Sequence, residues 1–185
     1  MPTLILASAS PYRRQLLERL GIAFEIRAAD VDESAIPGEA AEALATRLAS
    51  KKADSVWVNK EVSEQIIIGS DQVAAINGCL LRKPGNHAAA LQQLLDCQGQ
   101  AVTFSTATSV VDCRSGKHWQ GIDHTQVEFL QLPTARLSEY LDREQPYDCA
   151  GGFKAEGLGI SLFSSIQSAD PTSLLGLPLI WLTQV

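Results

Sequence analysis

The apolar run Leu4-Ile5-Leu6-Ala7 gives way within three residues to Ser10-Pro11, and then to Tyr12-Arg13-Arg14-Gln15-Leu16-Leu17. This is the pattern of a buried strand handing over to a helix, with Ser10 as N-cap and Pro11 at the first helical position. Gly21 ends that helix, and Ile22 to Ile26 alternates as a second strand. A strand that runs straight into a helix points to a fold that mixes helices and strands. The same junction carries chemistry. The free N–H groups at a helix start favour anions, and Ser8, Ser10, Arg13 and Arg14 add hydroxyl donors and guanidinium forks suited to phosphate. It is not a Walker loop, since the glycines of G-x-x-x-x-G-K-[ST] are missing.

Downstream, the loop "RAADVDESAIPGE" leads into an amphipathic helix from Ala40 to about Val58. "QIIIGSDQVAAINGCLL" reads as a strand pair with a kink at Gly69, a bend at Ser70 to Gln72 and a hairpin at Asn77-Gly78. After the loop "RKPGN", His87 to Cys97 is a helix closed by Gly99. Ala101 to Val111 and Thr125 to Leu132 are long strands joined through the polar "DCRSGKHWQGIDH" and are expected to form a smaller lobe. Thr134 caps a helix to about Arg143, "CAGGFKAEGLG" is a loop, and "DPTSLLGLPLIWLTQV" enters a last helix. This order of elements is α/β with mixed α+β character.

With 185 residues, 45% of them hydrophobic, the chain can bury one sizeable core, and one domain over 1–185 is expected. A net charge of -6 argues against a nucleic acid polymer or an anionic membrane as partner, so an anionic ligand must be met by local cations. Cys79, Cys97, Cys113 and Cys149 form no C-x-x-C pair, which excludes the common zinc and disulfide frameworks and reads as reduced thiols in a cytoplasmic protein. The stretch before Ser8 lacks a signal peptide's basic and long apolar regions, and Leu174 to Leu182 falls short of the ~20 residues that span a bilayer.

Two further constellations complete the chemistry. Asp30, Asp32 and Glu33 lie in the acidic loop, and Asp71 follows Ile66-Ile67-Ile68 in a segment that should be buried. Buried carboxylates need partners, and one or two of them with substrate phosphates suit a hard divalent ion such as magnesium or manganese, or orient water. Lys52 and Lys83 supply point charges for phosphate oxygens, with Pro84 holding Lys83 extended. Together these groups describe a polyphosphate site. In "AGGFKAEGLG", Phe153, Lys154 and Glu156 stand among glycines that permit either close approach to a ligand or a tight turn.

The segments "LILASASPYRRQLL", "VDE", "LASKKA", "IIIGSDQV", "RKP", "CAGGFKAEGLG" and "DPTSLLGLPL" resemble, in order and over essentially the whole chain, the Maf-like nucleoside triphosphate pyrophosphatases. The resemblance implies a two-lobed, inosine-triphosphatase-like fold with a central nucleotide cleft. It also implies metal-dependent attack of water on the α-phosphorus, releasing pyrophosphate. On this resemblance Asp71 matches the catalytic acid, as proton acceptor or metal ligand, and Glu33 an acidic residue near the metal. Lys52 and Lys83 match phosphate-holding lysines, and Ser8, Ser10, Arg13 and Arg14 match the phosphate loop. Tyr12, Gln72 and Glu156 resemble the branch acting on 7-methyl-GTP, where the dTTP and UTP branch reads S-P-R-R, threonine and I-Q-G. The charge logic agrees, since N7-methylation makes guanine cationic and suits it to an aromatic face and a carboxylate. The alternatives are dTTP or UTP hydrolysis, or a nucleotide-binding regulator of septum formation without turnover. Arg82 replaces a glycine frequent in the family, and the chain stops soon after Leu182, which bears on C-terminal stability and on homodimer contacts.

Overall fold

Strand β1 (Thr3–Leu6) passes into helix α1 (Pro11–Glu18) and returns in strand β2 (Phe24–Ile26), which pairs parallel to β1 in the register Leu4 with Phe24 and Leu6 with Ile26. The computed structural model describes residues 2–185. Ser10 caps α1 as its sequence requires, its hydroxyl accepting from the Arg13 amide. Helix α2 (Ala41–Val56) buries Leu44, Ala45, Leu48, Ala49, Ala53 and Val56 along one stripe, and Lys52 lies within that stripe. Strand β3 (Gln65–Ile76) pairs parallel to β1, Leu4 with Ile66 and Leu6 with Ile68.

β3 corrects one expectation. It runs for 12 residues without a break, so Ser70 to Gln72 lie in a strand and not at a bend. Gly69 has a packing reason: a Cβ there would collide with the Ala49 carbonyl of α2 and lie 2.6 Å from the Ala53 nitrogen. Hairpin strand β4 (Cys79–Leu81) follows the expected turn, with positive φ at Asn77 and Gly78. Helix α3 (His87–Cys97) is capped by Asn86.

Strands β5 (Ala101–Asp112) and β6 (Lys117–Phe129) are joined by a short turn, so much of "DCRSGKHWQGIDH" is strand and not connection. Lys117, His118 and Gln120 are exposed there and Trp119 is half-buried, so the start of β6 is open to water on both faces and carries polar residues without losing its pairing. Helix α4 (Thr134–Glu144) starts one residue earlier than its composition suggests. Pro133 occupies the cap and Thr134 makes no capping bond. Strand β7 (Phe163–Gln167), unforeseen because its residues alternate weakly, pairs antiparallel to β6, and the short α5 (Leu179–Leu182) closes the chain. The strand order is β2-β1-β3-β5-β6-β7, with β4 beside β3, a mixed sheet in an α/β fold.

The chain forms two compact units. The first comprises the chain up to Gln72, Ser105–Asp123 and Asp170–Val185; the second comprises Val73–Phe104 and His124–Ala169. β3, β5 and β6 therefore contribute residues to both, and the two long strands are not confined to a smaller lobe. In the first unit the sheet is covered on two sides. Leu6, Ile68, Leu16, Leu17, Leu177 and Leu182 form one apolar layer with α1, and Ile5, Ala7, Ile67, Ala53 and Val56 form the other with α2. The core of the second unit is aromatic. Phe153 meets Phe104, Phe129 and Phe163 edge-on, at centroid distances of 5.3, 5.5 and 4.8 Å. No helix among the described residues is long and apolar enough to cross a membrane.

Candidate active site

Strand alternation sets the geometry around β3. Gly69 and Asp71 point to one face of the strand, Ser70 and Gln72 to the other. Because Gly69 has no Cβ, α2 lies close against β3, and Lys52, between Ala49 and Ala53 on the contacting stripe, reaches Asp71 two residues beyond. Lys52 Nζ donates to Asp71 Oδ1 at 2.6 Å and pairs with Glu33 Oε1 at 2.6 Å.

Glu33 is brought there by a loop fastened to the same helix. Arg47 grips Glu39 with Nε and Nη2, at 2.6 and 2.7 Å, and Nη2 also donates to the Ser34 carbonyl at 3.0 Å. That grip holds the Glu39 carboxyl at about 2. Lys52, one to two turns along α2 from Arg47, then meets the loop again at Glu33.

The electrostatics of Asp71 are those of a buried, paired carboxylate. Only 7% of the residue is exposed, and burial pushes its carboxyl above the usual carboxylate value, with Lys52 and Arg13 pulling it back. Oδ1 is held by Lys52, and Oδ2 makes no hydrogen bond among the described residues.

At the start of α1, Arg13 is fixed on two sides. Its Nε donates to the Gly176 carbonyl at 2.8 Å and Nη1 to Ser8 Oγ at 3.2 Å, and Ser8 Oγ also accepts from the Ser10 amide. Burial lowers the guanidinium's pKa, and Asp71 and Glu33 oppose that by attraction. The structure thus gathers Ser8, Ser10, Arg13, Glu33, Lys52 and Asp71 in one unit. Arg14 is turned away from this set, its Nε paired with Glu18 at 2.8 Å on the exposed side of α1. Tyr12 is half-buried on α1 beside Arg13.

Lys83 and Glu156 belong to the second unit, both exposed, as is Arg82. Glu156 rides on a turn closed by the Gly157 amide on the Lys154 carbonyl. Tyr140 Oη accepts from the Lys154 amide at 3.0 Å, and Lys154 Nζ donates to the Glu144 carbonyl at 3.3 Å, which anchors the turn to the end of α4. Phe153, from the same glycine-rich segment, is 5% exposed in the aromatic core.

Sequence reasoning left out several residues that shape the site. Ser70 Oγ lies 2.8 Å from both the Ala107 and Gly176 carbonyls. Asp170 organises the last loop, Oδ1 accepting from the Thr172 amide at 2.9 Å and Oδ2 from the Ile180 amide at 2.6 Å. The Asp-Pro-Thr tripeptide was the available signal, because Asp before such a turn caps free amides.

As a donor set, Asp71 and Glu33 offer hard carboxylate oxygens, one from each lying 2.6 Å from Lys52 Nζ. Among the described residues no group of three or more His, Cys, Asp and Glu side chains converges. Two carboxylates without a full protein cage fit a magnesium-like ion that completes its shell with water and phosphate oxygens.

Several curated relatives carry the name 7-methyl-GTP pyrophosphatase. One from Nitrosococcus oceani is 48% identical, covering 100% of this chain and 92% of the relative. One from Albidiferax ferrireducens is 50% identical, over 96% and 88%. One from Pseudomonas aeruginosa is 46% identical, over 100% and 95%. Among solved structures, a HAM1 protein from Coxiella burnetii aligns with 72% of this chain and 75% of its own, at a TM-score of 0.46 and 15% identity. Residues 3–185, a span that holds the Ser8-to-Arg13 junction, Lys52 and Asp71, match the Maf-like protein family, and the chain belongs to that family.

Proposed function

We propose that this protein hydrolyses 7-methyl-GTP to 7-methyl-GMP and pyrophosphate, a hydrolase acting on an acid anhydride. The observation that carries the reading is the convergence of Asp71, Glu33, Lys52 and Arg13 beside the capped start of α1. Full-length relatives of that name support the choice of substrate.

On this reading Asp71 accepts the proton of the water that attacks the α-phosphorus, through its unbonded Oδ2. Lys52, Arg13 and Lys83 neutralise the phosphate oxygens, and Ser8 and Ser10 with the α1 amides hold them. Asp71 and Glu33 would hold a divalent cation, magnesium or manganese, which supplies phosphate charge neutralisation and lowers the pKa of water. Tyr12 offers an aromatic face and Glu156 a carboxylate to a cationic, N7-methylated guanine. The setting is the cytoplasm, where nucleoside triphosphates and divalent cations are both at hand.

The test is pyrophosphate release by purified protein with magnesium or manganese, across 7-methyl-GTP, GTP, dTTP, UTP and CTP at equal concentration. The largest kcat/KM is expected for 7-methyl-GTP. A preference for dTTP or UTP overturns the base assignment and keeps the reaction, and no release from any nucleotide overturns the reaction.

A further inference from the structure

Glu33 reaches Lys52 from a stretch of chain that burial does little to hold. Across residues 31–39 none is buried, and the one large aliphatic side chain beyond Val31, that of Ile36, is exposed. A segment that buries so little apolar surface gains little to offset the entropy of being ordered, so its shape must come from polar contacts. Those contacts gather at one carboxylate. Glu39 Oε2 accepts from the Ile36 amide at 3.0 Å, and the Glu39 amide donates back to the Ile36 carbonyl at 2.9 Å. Beside Glu33, the Ser34 amide donates to Asp32 Oδ1 at 2.9 Å.

Arg47 joins this loop to α2. Its two bonds to Glu39 use the planar fork of the guanidinium, and its third, to the Ser34 carbonyl, falls on the residue next to Glu33. The Arg47 side chain is 22% exposed and the Glu39 side chain 9%, so water competes weakly for the pair. The same helix carries Lys52, whose Nζ lies 2.6 Å from Glu33 Oε1 and from Asp71 Oδ1. One rigid element thus fixes the loop at Arg47 and meets its carboxylate at Lys52.

We propose that Arg47 is a positioning residue for Glu33: by clamping Glu39 and the Ser34 carbonyl it holds the Glu33 carboxylate at the Lys52 and Asp71 pair, and so sets the affinity of the two carboxylates for a divalent cation. The proposal rests on the reading of Asp71 and Glu33 as the groups that hold that cation. Its sign is distinctive. A positive charge near two carboxylates repels a metal ion, so removal of the Arg47 charge by itself strengthens metal binding, and only lost positioning weakens it.

The experiment measures manganese binding to the nucleotide-free protein, from the electron paramagnetic resonance signal of the free ion, together with amide hydrogen exchange. Arg47→Met is expected to weaken manganese binding about tenfold, the usual scale for losing a group that orients a metal ligand. Exchange should quicken at the Ser34, Ile36 and Glu39 amides and stay unchanged in β1 and β3. Arg47→Lys, which keeps the charge without the fork, should fall within about threefold of Arg47→Met. The double variant with Glu33→Gln should bind no more than about twofold more weakly than Glu33→Gln alone. Unchanged or tighter manganese binding in Arg47→Met overturns the proposal, as do unaltered exchange in the loop, wild-type affinity in Arg47→Lys, or a full loss added on top of Glu33→Gln. Should Arg47→Met not fold, Glu39→Gln opens the clamp from the other side and is judged by the same cycle with Glu33→Gln. Absence of manganese binding in the wild type also overturns the proposal. Manganese binding that follows this cycle, in a protein that releases no pyrophosphate from any nucleotide, overturns the proposed reaction and leaves the role of Arg47 standing.

Discussion

Gly69 and Asp71 leave β3 toward α2, while Ser70 and Gln72 leave it toward the Ser173-to-Gly176 turn, and the two faces hold opposite kinds of chemistry. On the α2 face the contacts join charged side chains, Asp71 to Lys52 and Lys52 to Glu33. On the other face neutral donors bind backbone carbonyls, those of Ala107, Gly176, Ser173 and Leu174. A buried ion pair is weak support for a fold, because desolvation offsets its attraction, but it leaves groups that can exchange protons and partners. Neutral bonds to backbone carbonyls contribute roughly 1 kcal/mol each and fix geometry without adding reactivity. A strand whose side chains alternate can thus run chemistry on one side and alignment on the other, within four consecutive residues. A one-residue slip of β3 would exchange the two.

The comparison breaks most sharply at Asp71. Asp71→Asn keeps the shape and removes the proposed base, and should lower kcat by about 10²- to 10⁴-fold while nucleotide affinity stays within a few-fold. A rate near wild type would move the base elsewhere. Gly69→Ala tests whether close packing builds the charged face. A Cβ against Ala49 and Ala53 must push α2 off β3, at a cost of about 1–3 kcal/mol, read from the urea midpoint. Lys52 would retreat from Asp71 in the same step, so activity should fall beyond what the remaining folded fraction explains. Wild-type stability would show that α2 and β3 yield without strain.

The smallest effect, and the most diagnostic of sign, concerns pH. Asp71 must be ionised to take a proton, and burial holds its carboxyl above the usual value, so the acid limb of the kcat/KM profile should lie above that of an ordinary aspartate. Lys52 lowers that carboxyl, and Lys52→Met removes the lowering and leaves burial unopposed by it. The acid limb should therefore move to higher pH, measured on the residual activity. A limb that stays in place would assign it to another group.

The strand-to-helix junction at Ser8 to Arg13 was legible because every determinant is local: an apolar run, a capping serine, a proline at the first turn. The Asn77-Gly78 hairpin and the bounds of α3, His87–Cys97, were legible for the same reason. Gly69 was misread as a kink because a glycine inside a strand pattern looks alike whether the backbone bends or another backbone presses on it. Only the Ala49 and Ala53 atoms of α2 distinguish the two. β7 was missed because Phe163 to Gln167 is half polar, and its pairing with β6 comes from a partner more than thirty residues away.

The site divides in the same way. Residue types alone pointed to Asp71, Lys52, Glu33 and Arg13, since a carboxylate after a buried isoleucine run and cations at helix positions imply partners. In the sequence Arg14 stands beside Arg13 and Gln72 beside Asp71, and adjacency alone does not say which of them share a direction. The tertiary structure turned both pairs of neighbours apart. The pitch of α1 sends Arg14 to Glu18 and Arg13 to Gly176, and the pleat of β3 sends Gln72 away from Asp71. Sequence by itself determined which chemistries the chain contains and where its local elements begin. Which neighbours face each other was decided by packing, because side-chain direction in helix and strand turns adjacent residues apart and only distant segments complete the walls around them.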